Sequence, residues 1–241
     1  MKPRISVVVP TYREEKRIGM CLRSIRSQSS RGPIEVIVVD SHSQDATRSV
    51  ATTYADKVID IKRRGVGRAR NAGAKAAAGD VILFVDADTV LMPDFVEEVD
   101  RAFGEDGLVG ATGKISVLEI MGPVDTLFAR VHYGMLNAIS WASSLARRPL
   151  FPTVCCACRK TVFEKVGGFE EDLAVAEDIT LSLKLGRAGK CRLVKSAVAR
   201  TSARRLLRFG KLKTYSMYFR NYFRFFVLKR RPWIEEFPHI D

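Results

Sequence analysis

The 241-residue sequence has no apolar run near the roughly 18 residues that span a bilayer. Met1-Lys-Pro-Arg-Ile-Ser leads straight into a strand pattern, with no signal-peptide apolar region. A cytoplasmic location is expected, or a peripheral one on the inner face of the cell membrane. Histidine is scarce, and His42, His132 and His239 stand alone. The five cysteines, Cys21, Cys155, Cys156, Cys158 and Cys191, are odd in number and lie in apolar contexts. A metal cluster needs paired Cys-x-x-Cys motifs with further Cys or His at matching spacing, which the sequence does not offer, so buried free thiols are expected. Asn and Gln are also few. Acidic residues vanish from one long stretch: between Ile179 and Ile234 there are sixteen Lys or Arg and no Asp or Glu. The net charge of +13 therefore belongs to the C-terminal quarter. Such a block attracts phosphate, anionic lipid or nucleic acid, and its sign alone does not choose among them.

What is present reads as α/β. Ile5 to Tyr12, Glu35 to Asp40, Lys57 to Ile61 and Val81 to Val85 read as short strands, with Glu35 to Asp40 and Val81 to Val85 typical of buried ones. Helical spacing over Glu14 to Gln28, Ala46 to Ala55 and Gly65 to Ala78 separates them. This alternation predicts a mostly parallel central sheet with helices on both faces. Further helices are expected at Asp94 to Phe103, Thr161 to Val166 and Ala176 to Ala188, and strands at Leu108 to Leu118 and Leu150 to Cys158. From Pro123, Val124, Leu127, Phe128, Val131, Met135, Ile139, Ala142 and Leu145 keep the rhythm of a long amphipathic helix. Packing of that face on the core is the reading taken, with membrane or acceptor contact as the alternative.

The strand Val81 to Val85 runs into Asp86-Ala87-Asp88. Ligands of open α/β sheets collect beyond the carboxyl ends of such strands. Two carboxylates placed on one side of an extended chain repel each other, and a hard divalent cation carrying phosphate oxygens relieves the repulsion. An acidic turn, or helix capping ahead of Pro93, is the other reading. Glu177-Asp178, at the start of a helix, likewise suits either capping or chemistry.

Six motifs in order, Val9-Pro10-Thr11-Tyr12-Arg13-Glu14, Val38-Val39-Asp40, Ala69-Arg70-Asn71-Ala72-Gly73, Phe84-Val85-Asp86-Ala87-Asp88, Val166-Gly167-Gly168-Phe169 and Ala176-Glu177-Asp178, resemble the family 2 glycosyltransferases of the GT-A fold. The resemblance covers roughly residues 3 to 195. It implies a catalytic domain over residues 1–200, with a nucleotide-binding half at 1–105 and an acceptor half at 106–200. Pro10, Thr11, Tyr12 and Glu14 would line a nucleoside pocket, Asp40 would bond the base and Arg70 would support the nucleotide. Asp86 would face ribose and diphosphate, Asp88 with Asp86 would bind Mn²⁺ or Mg²⁺, and Asp178 would be the general base. The implied donor is a nucleoside-diphosphate sugar of UDP or GDP type, and the acceptor a saccharide or lipid-linked hydroxyl. Arg13 stands where many members carry Asn, and Ser41 where many carry Asp. A Gln-x-x-Arg-Trp motif and transmembrane helices, found in processive synthases, are missing, which favours addition of one sugar. Transfer to a polyprenyl phosphate is the alternative within the fold.

Residues 201–241 read as a basic, aromatic helical extension. Arg204 and Arg205 could clamp a diphosphate, since guanidinium groups hold phosphate oxygens in pairs. Tyr215, Tyr218, Phe219, Tyr222, Phe223 and Phe226 keep helical spacing opposite Lys213, Arg220 and Arg224. An anionic membrane surface suits that pattern, packing on the catalytic domain or in a homodimer is the bland alternative, and single-stranded nucleic acid a third. A non-catalytic nucleic-acid-binding protein is the reading from a different class.

Overall fold

The apolar runs form the frame. β1 (Ile5–Thr11) and β4 (Val81–Val85) are buried throughout, and β2 (Ile34–Asp40) along all but its first residue. A sheet covered on both faces has no solvent side to be polar, so its strands are continuously β-branched rather than alternating. The computed structural model describes residues 4–30, 32–119, 121–173 and 176–204, with isolated positions beyond. The expected extension helix and Arg205 lie outside the described residues.

With β3 (Lys57–Asp60), β5 (Thr89–Leu91), β6 (Leu108–Val117), β7 (Cys155–Arg159) and β8 (Lys190–Thr201), the strands make one eight-stranded sheet in the order β3-β2-β1-β4-β7-β6-β8-β5. β3, β2, β1 and β4 run parallel, as do β6 and β8. β7 is antiparallel to both β4 and β6, and β5 is antiparallel to β8. The expected α/β class holds, with a more mixed second half than the alternation predicts. The sheet is continuous across position 105.

Helices cover both faces. Side chains of α1 (Ile18–Arg26), α2 (Thr47–Tyr54), α4 (Phe95–Ala102) and α5 (Pro123–Leu145) join one core, and those of α3 (Val66–Ala76), α6 (Lys160–Lys165) and α7 (Glu177–Ala188) the other. The chain first winds from β1 outward to β3 beneath α1 and α2, then returns to β4 beneath α3 on the opposite face. The reversal leaves a crevice past the carboxyl ends of β1 and β4, where open sheets bind ligands. Pro10 remains in β1 because the pairs with β4 stop at Val8, leaving β2 as its only neighbour there.

One expectation is overturned. The α5 face carrying Val124, Leu127, Val131, Met135, Ile139 and Leu145 is exposed, and Ala129, Tyr133 and Ser140 face the protein instead. Asn137 fixes this rotation, because its amide accepts from the Ile115 N–H at 2.9 Å and donates to the Ile115 carbonyl at 2.8 Å. The five thiols meet their expectation: four are buried, Cys191 is half-buried, and burial pushes Cys191 and Cys155 up to about 12. No helix among the described residues is long and apolar enough to cross a membrane.

Close packing of α3 on the sheet depends on Gly73. A Cβ there would lie 2.3 Å from Val8 Cγ1 and 3.1 Å from Val39 Cγ2. Alanine would gain about 1 kcal/mol of helix propensity, yet overpacking costs about 1–3 kcal/mol. Gly73→Ala is therefore expected to lower the urea midpoint, and Val8→Ala in the same chain to recover more than additivity allows. Strict additivity of the two changes would refute the contact.

Candidate active site

The crevice is lined by the residues that leave β1 and β4. β4 ends at Val85, and Asp86 to Asp88 form a turn, closed by the Thr89 N–H donating to the Asp86 carbonyl at 3.0 Å. The turn replaces the extended geometry the sequence suggests, and it sends the two carboxylates to different partners. β5 follows at once and pairs with the end of β8, so Thr89 lies opposite Thr201 with their hydroxyls 2.9 Å apart. This pairing brings the chain after β8 across the site.

Asp86 is held by Arg70. The Arg70 guanidinium donates from Nη2 to Asp86 Oδ1 at 2.8 Å and from Nη1 to Glu177 Oε1 at 3.0 Å. The Arg70 side chain is only 3% exposed and lies over the Phe169 ring at 5.3 Å. Arg70 therefore acts through two carboxylates, one at the end of β4 and one at the start of α7. Its neighbour Asn71 accepts from the Phe169 N–H at 3.0 Å and donates to the Phe169 carbonyl at 2.9 Å. Gly168, at φ 60°, has no room for a Cβ against Asn71 Oδ1, which would be 2.7 Å away. Thus Ala69-Arg70-Asn71-Ala72-Gly73 and Gly167-Gly168-Phe169 are two sides of one joint. Asn71 and the Glu177 partner of Arg70 emerge only in three dimensions.

α7 opens from Ala176, a buried non-glycine residue at φ 70°, a left-handed conformation that side chains disfavour. Behind it Asp178 is only partly buried, yet its carboxyl is pushed up to about 7, first by burial and then by the Glu177 charge. The Ile179 N–H, donating at 2.8 Å, offsets part of this. Burial also raises Glu177, against the opposing pull of Arg70. A carboxyl poised near neutrality, reachable from the surface, can exchange a proton at physiological pH.

On the other side, Arg204 spans Glu14 and Asp88. It donates from Nη1 to Glu14 Oε2 at 2.9 Å, makes a second contact from Nη2 to Glu14 Oε1, and lies 3.3 Å from Asp88 Oδ2. The segment carrying it is pinned by Glu119, which accepts from Ser202 Oγ and, at 2.9 Å, from the Ala203 N–H. Nothing local in the sequence marks Glu119, because its partners lie more than eighty residues away. The Glu14 N–H is tied to Thr47 Oγ1 at 2.8 Å. Glu14 is thus turned toward Arg204 rather than standing alone in a pocket.

The remaining residues expected near a nucleoside are arranged as follows. Thr11 is buried, with no hydrogen-bond partner for its Oγ1. Tyr12 carries the Arg64 guanidinium over its ring at 4.1 Å, with Arg13 at 5.4 Å. Asp40 is fully buried and braces the turn after β2, taking the Ser43 N–H at 2.8 Å and the Ser43 hydroxyl at 2.5 Å. Among the described residues no group of three His, Cys, Asp or Glu side chains could hold a metal. Asp86 and Asp88 are hard oxygen donors of the kind a divalent cation takes together with phosphate oxygens, and each is held by a guanidinium here.

Solved glycosyltransferases share this fold. The mannosyltransferase PcManGT of Pyrobaculum calidifontis, solved with GDP-Man and Mn²⁺, is 26% identical, with a TM-score of 0.67, over 84% of this chain and 57% of that one. TarS of S. aureus, solved with UDP-GlcNAc, shares the fold at 24% identity and a TM-score of 0.60, over 82% of this chain and 56% of that one. The glycosyltransferase AglE of Haloferax volcanii is 26% identical over 78% of this chain and 62% of its own length. The O-antigen chain rhamnosyltransferase WbaN of Salmonella anatum shows the same identity and coverage. The chain thus spans less than two thirds of these relatives. A family model described as Glycosyl transferase family 2 matches residues 6–167, most of the sequence, and the chain belongs to that family.

Proposed function

We propose that this chain is the catalytic domain of a metal-dependent, inverting, non-processive glycosyltransferase using a nucleoside-diphosphate sugar. The observation that carries the reading is the Arg70 bridge. It ties the Asp86 end of the candidate cation site to Glu177, the neighbour of the candidate base, through contacts of 2.8 and 3.0 Å. Asp86 and Asp88 would hold Mn²⁺ or Mg²⁺, which supplies charge stabilisation for a departing diphosphate. Arg204, which lies against Asp88, would share phosphate oxygens. The Thr11 hydroxyl and the Tyr12 ring with its guanidinium neighbours would contact the nucleoside side.

Asp178 in its ionised form accepts the acceptor hydroxyl's proton as the oxygen bonds to the anomeric carbon. The bond from that carbon to the diphosphate breaks, and the nucleoside diphosphate leaves with the electron pair. One base on one face and one leaving group on the other give a single displacement with inversion. The mannosyltransferase of Pyrobaculum calidifontis, solved with GDP-Man and Mn²⁺, makes a GDP-linked sugar the first donor to test.

Three outcomes are expected. A melting shift with one of UDP, GDP, CDP or dTDP should require Mn²⁺ or Mg²⁺ and disappear in Asp88→Ala; a shift that survives without metal or without Asp88 would remove the cation site from the mechanism. Asp178→Asn should keep that shift and lose transfer to a hydroxyl acceptor by roughly 10²–10⁴-fold. In the wild type kcat/KM should rise through about pH 7 as Asp178 ionises. Retained transfer to a polyprenyl phosphate, whose oxygen is already anionic, would point to that acceptor instead.

A further outcome concerns stability. Asp178 holds its proton more tightly folded than unfolded, so stability falls as pH rises from the ordinary carboxylate range through about 7. Asp178→Asn removes the ionisation and should melt at least ~2 °C above the wild type at pH 8. The gap should close as pH falls toward 4. Equal melting curves at pH 8 would mean that Asp178 is not perturbed.

A further inference from the structure

We infer that the outward face of α5 docks on an anionic lipid bilayer, independently of the sugar-transfer reading. Leu127, Val131 and Leu145 are 65%, 63% and 68% exposed, and Met135, Ile139 and Trp141 join them on the surface. From Leu127 to Leu145 this face runs about 27 Å at the helical rise. Exposed large apolar side chains are normal singly, but a continuous stripe marks a binding surface. The helix cannot roll to hide it, since Asn137 grips both backbone groups of Ile115 and the Tyr133 hydroxyl donates to the Ser202 carbonyl at 3.2 Å.

Charge selects the occupant. From Thr126 to Phe163 the sequence has no Asp or Glu, while Arg130, Arg147 and Arg148 are exposed on or just beyond the helix. Lys195 lies 4.9 Å over the Trp141 ring, pairing a cation with an indole at the edge of the apolar stripe. Apolar side chains that enter the acyl boundary, with Trp and cations at headgroup level, are the pattern of a helix lying in a membrane interface. A second copy would bring this basic rim against itself in a chain of net charge +13. The opposite face of α5 is packed on the sheet, so the helix lies on a bilayer rather than across it. Docking would also set the site near the lipid surface, because Ser202, which Tyr133 holds, lies two residues before Arg204.

The test uses the full chain and separates α5 from the basic sequence after Arg204. Trp141 and Trp233 are the only tryptophans, so Trp233→Phe leaves Trp141 as the sole reporter. With vesicles of phosphatidylcholine containing about one third phosphatidylglycerol, Trp141 emission should shift blue and be quenched by brominated acyl chains. Val131→Gln/Met135→Gln/Ile139→Gln changes exposed positions only and should weaken vesicle co-sedimentation by at least ~10-fold while leaving the melting temperature in place. Vesicle binding without quenching of Trp141 would assign docking to the tail and overturn the inference. So would absent binding, or equal binding by the triple variant. A sedimentation-velocity dimer that the triple variant splits would make a second copy the occupant and would equally overturn it.

Discussion

Arg70 carries a buried guanidinium between two carboxylates that belong to different parts of the chain, and the site depends on that contact. Desolvating three charges costs several kcal/mol per ion, and mutual attraction offsets this only when geometry is good and other polar atoms are satisfied. Here the fit is close but incomplete, since Arg70 Nε has no hydrogen-bond partner. The bridge is therefore better understood as a device for position than as a source of stability. It sets where the Asp86 turn and the first turn of α7 stand relative to each other. Asn71, one residue on, locks the Gly167-Gly168-Phe169 turn on the same joint. One guanidinium against two carboxylates leaves the cluster net negative, and burial, reinforced by the neighbouring Glu177 charge, pushes the Asp178 carboxyl up to about 7.

Arg204 meets the opposite need at the other end of the crevice. Glu14 and Asp88 would stand as two close carboxylates, and the guanidinium delivered by the end of β8 lies against both. Any ligand cation at Asp88 must share or displace that contact. A divalent cation there would carry one more positive charge than the guanidinium it displaces. On the proposed reading, a diphosphate bound with that cation would offset the added charge and offer Arg204 new oxygens in place of Glu14. Whether Arg204 stays or moves, it is positioned by Glu119 and by the β5–β8 pair rather than by its own flexibility.

Much of this was legible in the sequence where a local rule decides the outcome. β-branched runs bounded by Gly and Pro gave β1, β2 and β4 within about a residue, and the order of strands and helices gave the parallel half. The second half was harder because β5 is three residues long and means nothing until β8 lies beside it. The same applies to Arg204 with Glu14, 190 positions apart, and to Arg70 with Glu177, 107 apart. Asp86 and Asp88 were found from their place after a strand, but the turn between them was not, since nothing in two aspartates tells a turn from an extended run. For α5 the period was right and the face was inverted. Periodicity locates an apolar stripe, and only the packing of Tyr133, Ser140 and Asn137 says which side of the helix the sheet takes.

That inversion and the site share a cause. β8 lies between β6 and β5, so its end must pass both the inner face of α5 and the carboxylates beyond β4. Tyr133 meets Ser202, Glu119 meets Ser202 and Ala203, and Arg204 meets Glu14 and Asp88, all within three consecutive residues. A displacement of α5 would therefore reach Ser202 first and the Arg204 contact with Asp88 two residues later. The coupling runs through hydrogen bonds to backbone and side chain, which tolerate little change in length. Because α5 turns Ala129, Tyr133, Leu136, Asn137 and Ser140 to the protein, the apolar residues of its other face are left for whatever it meets outside. The surface that carries the docking helix and the segment that closes the crevice are consequently one mechanical unit, built from the single choice of where β8 enters the sheet.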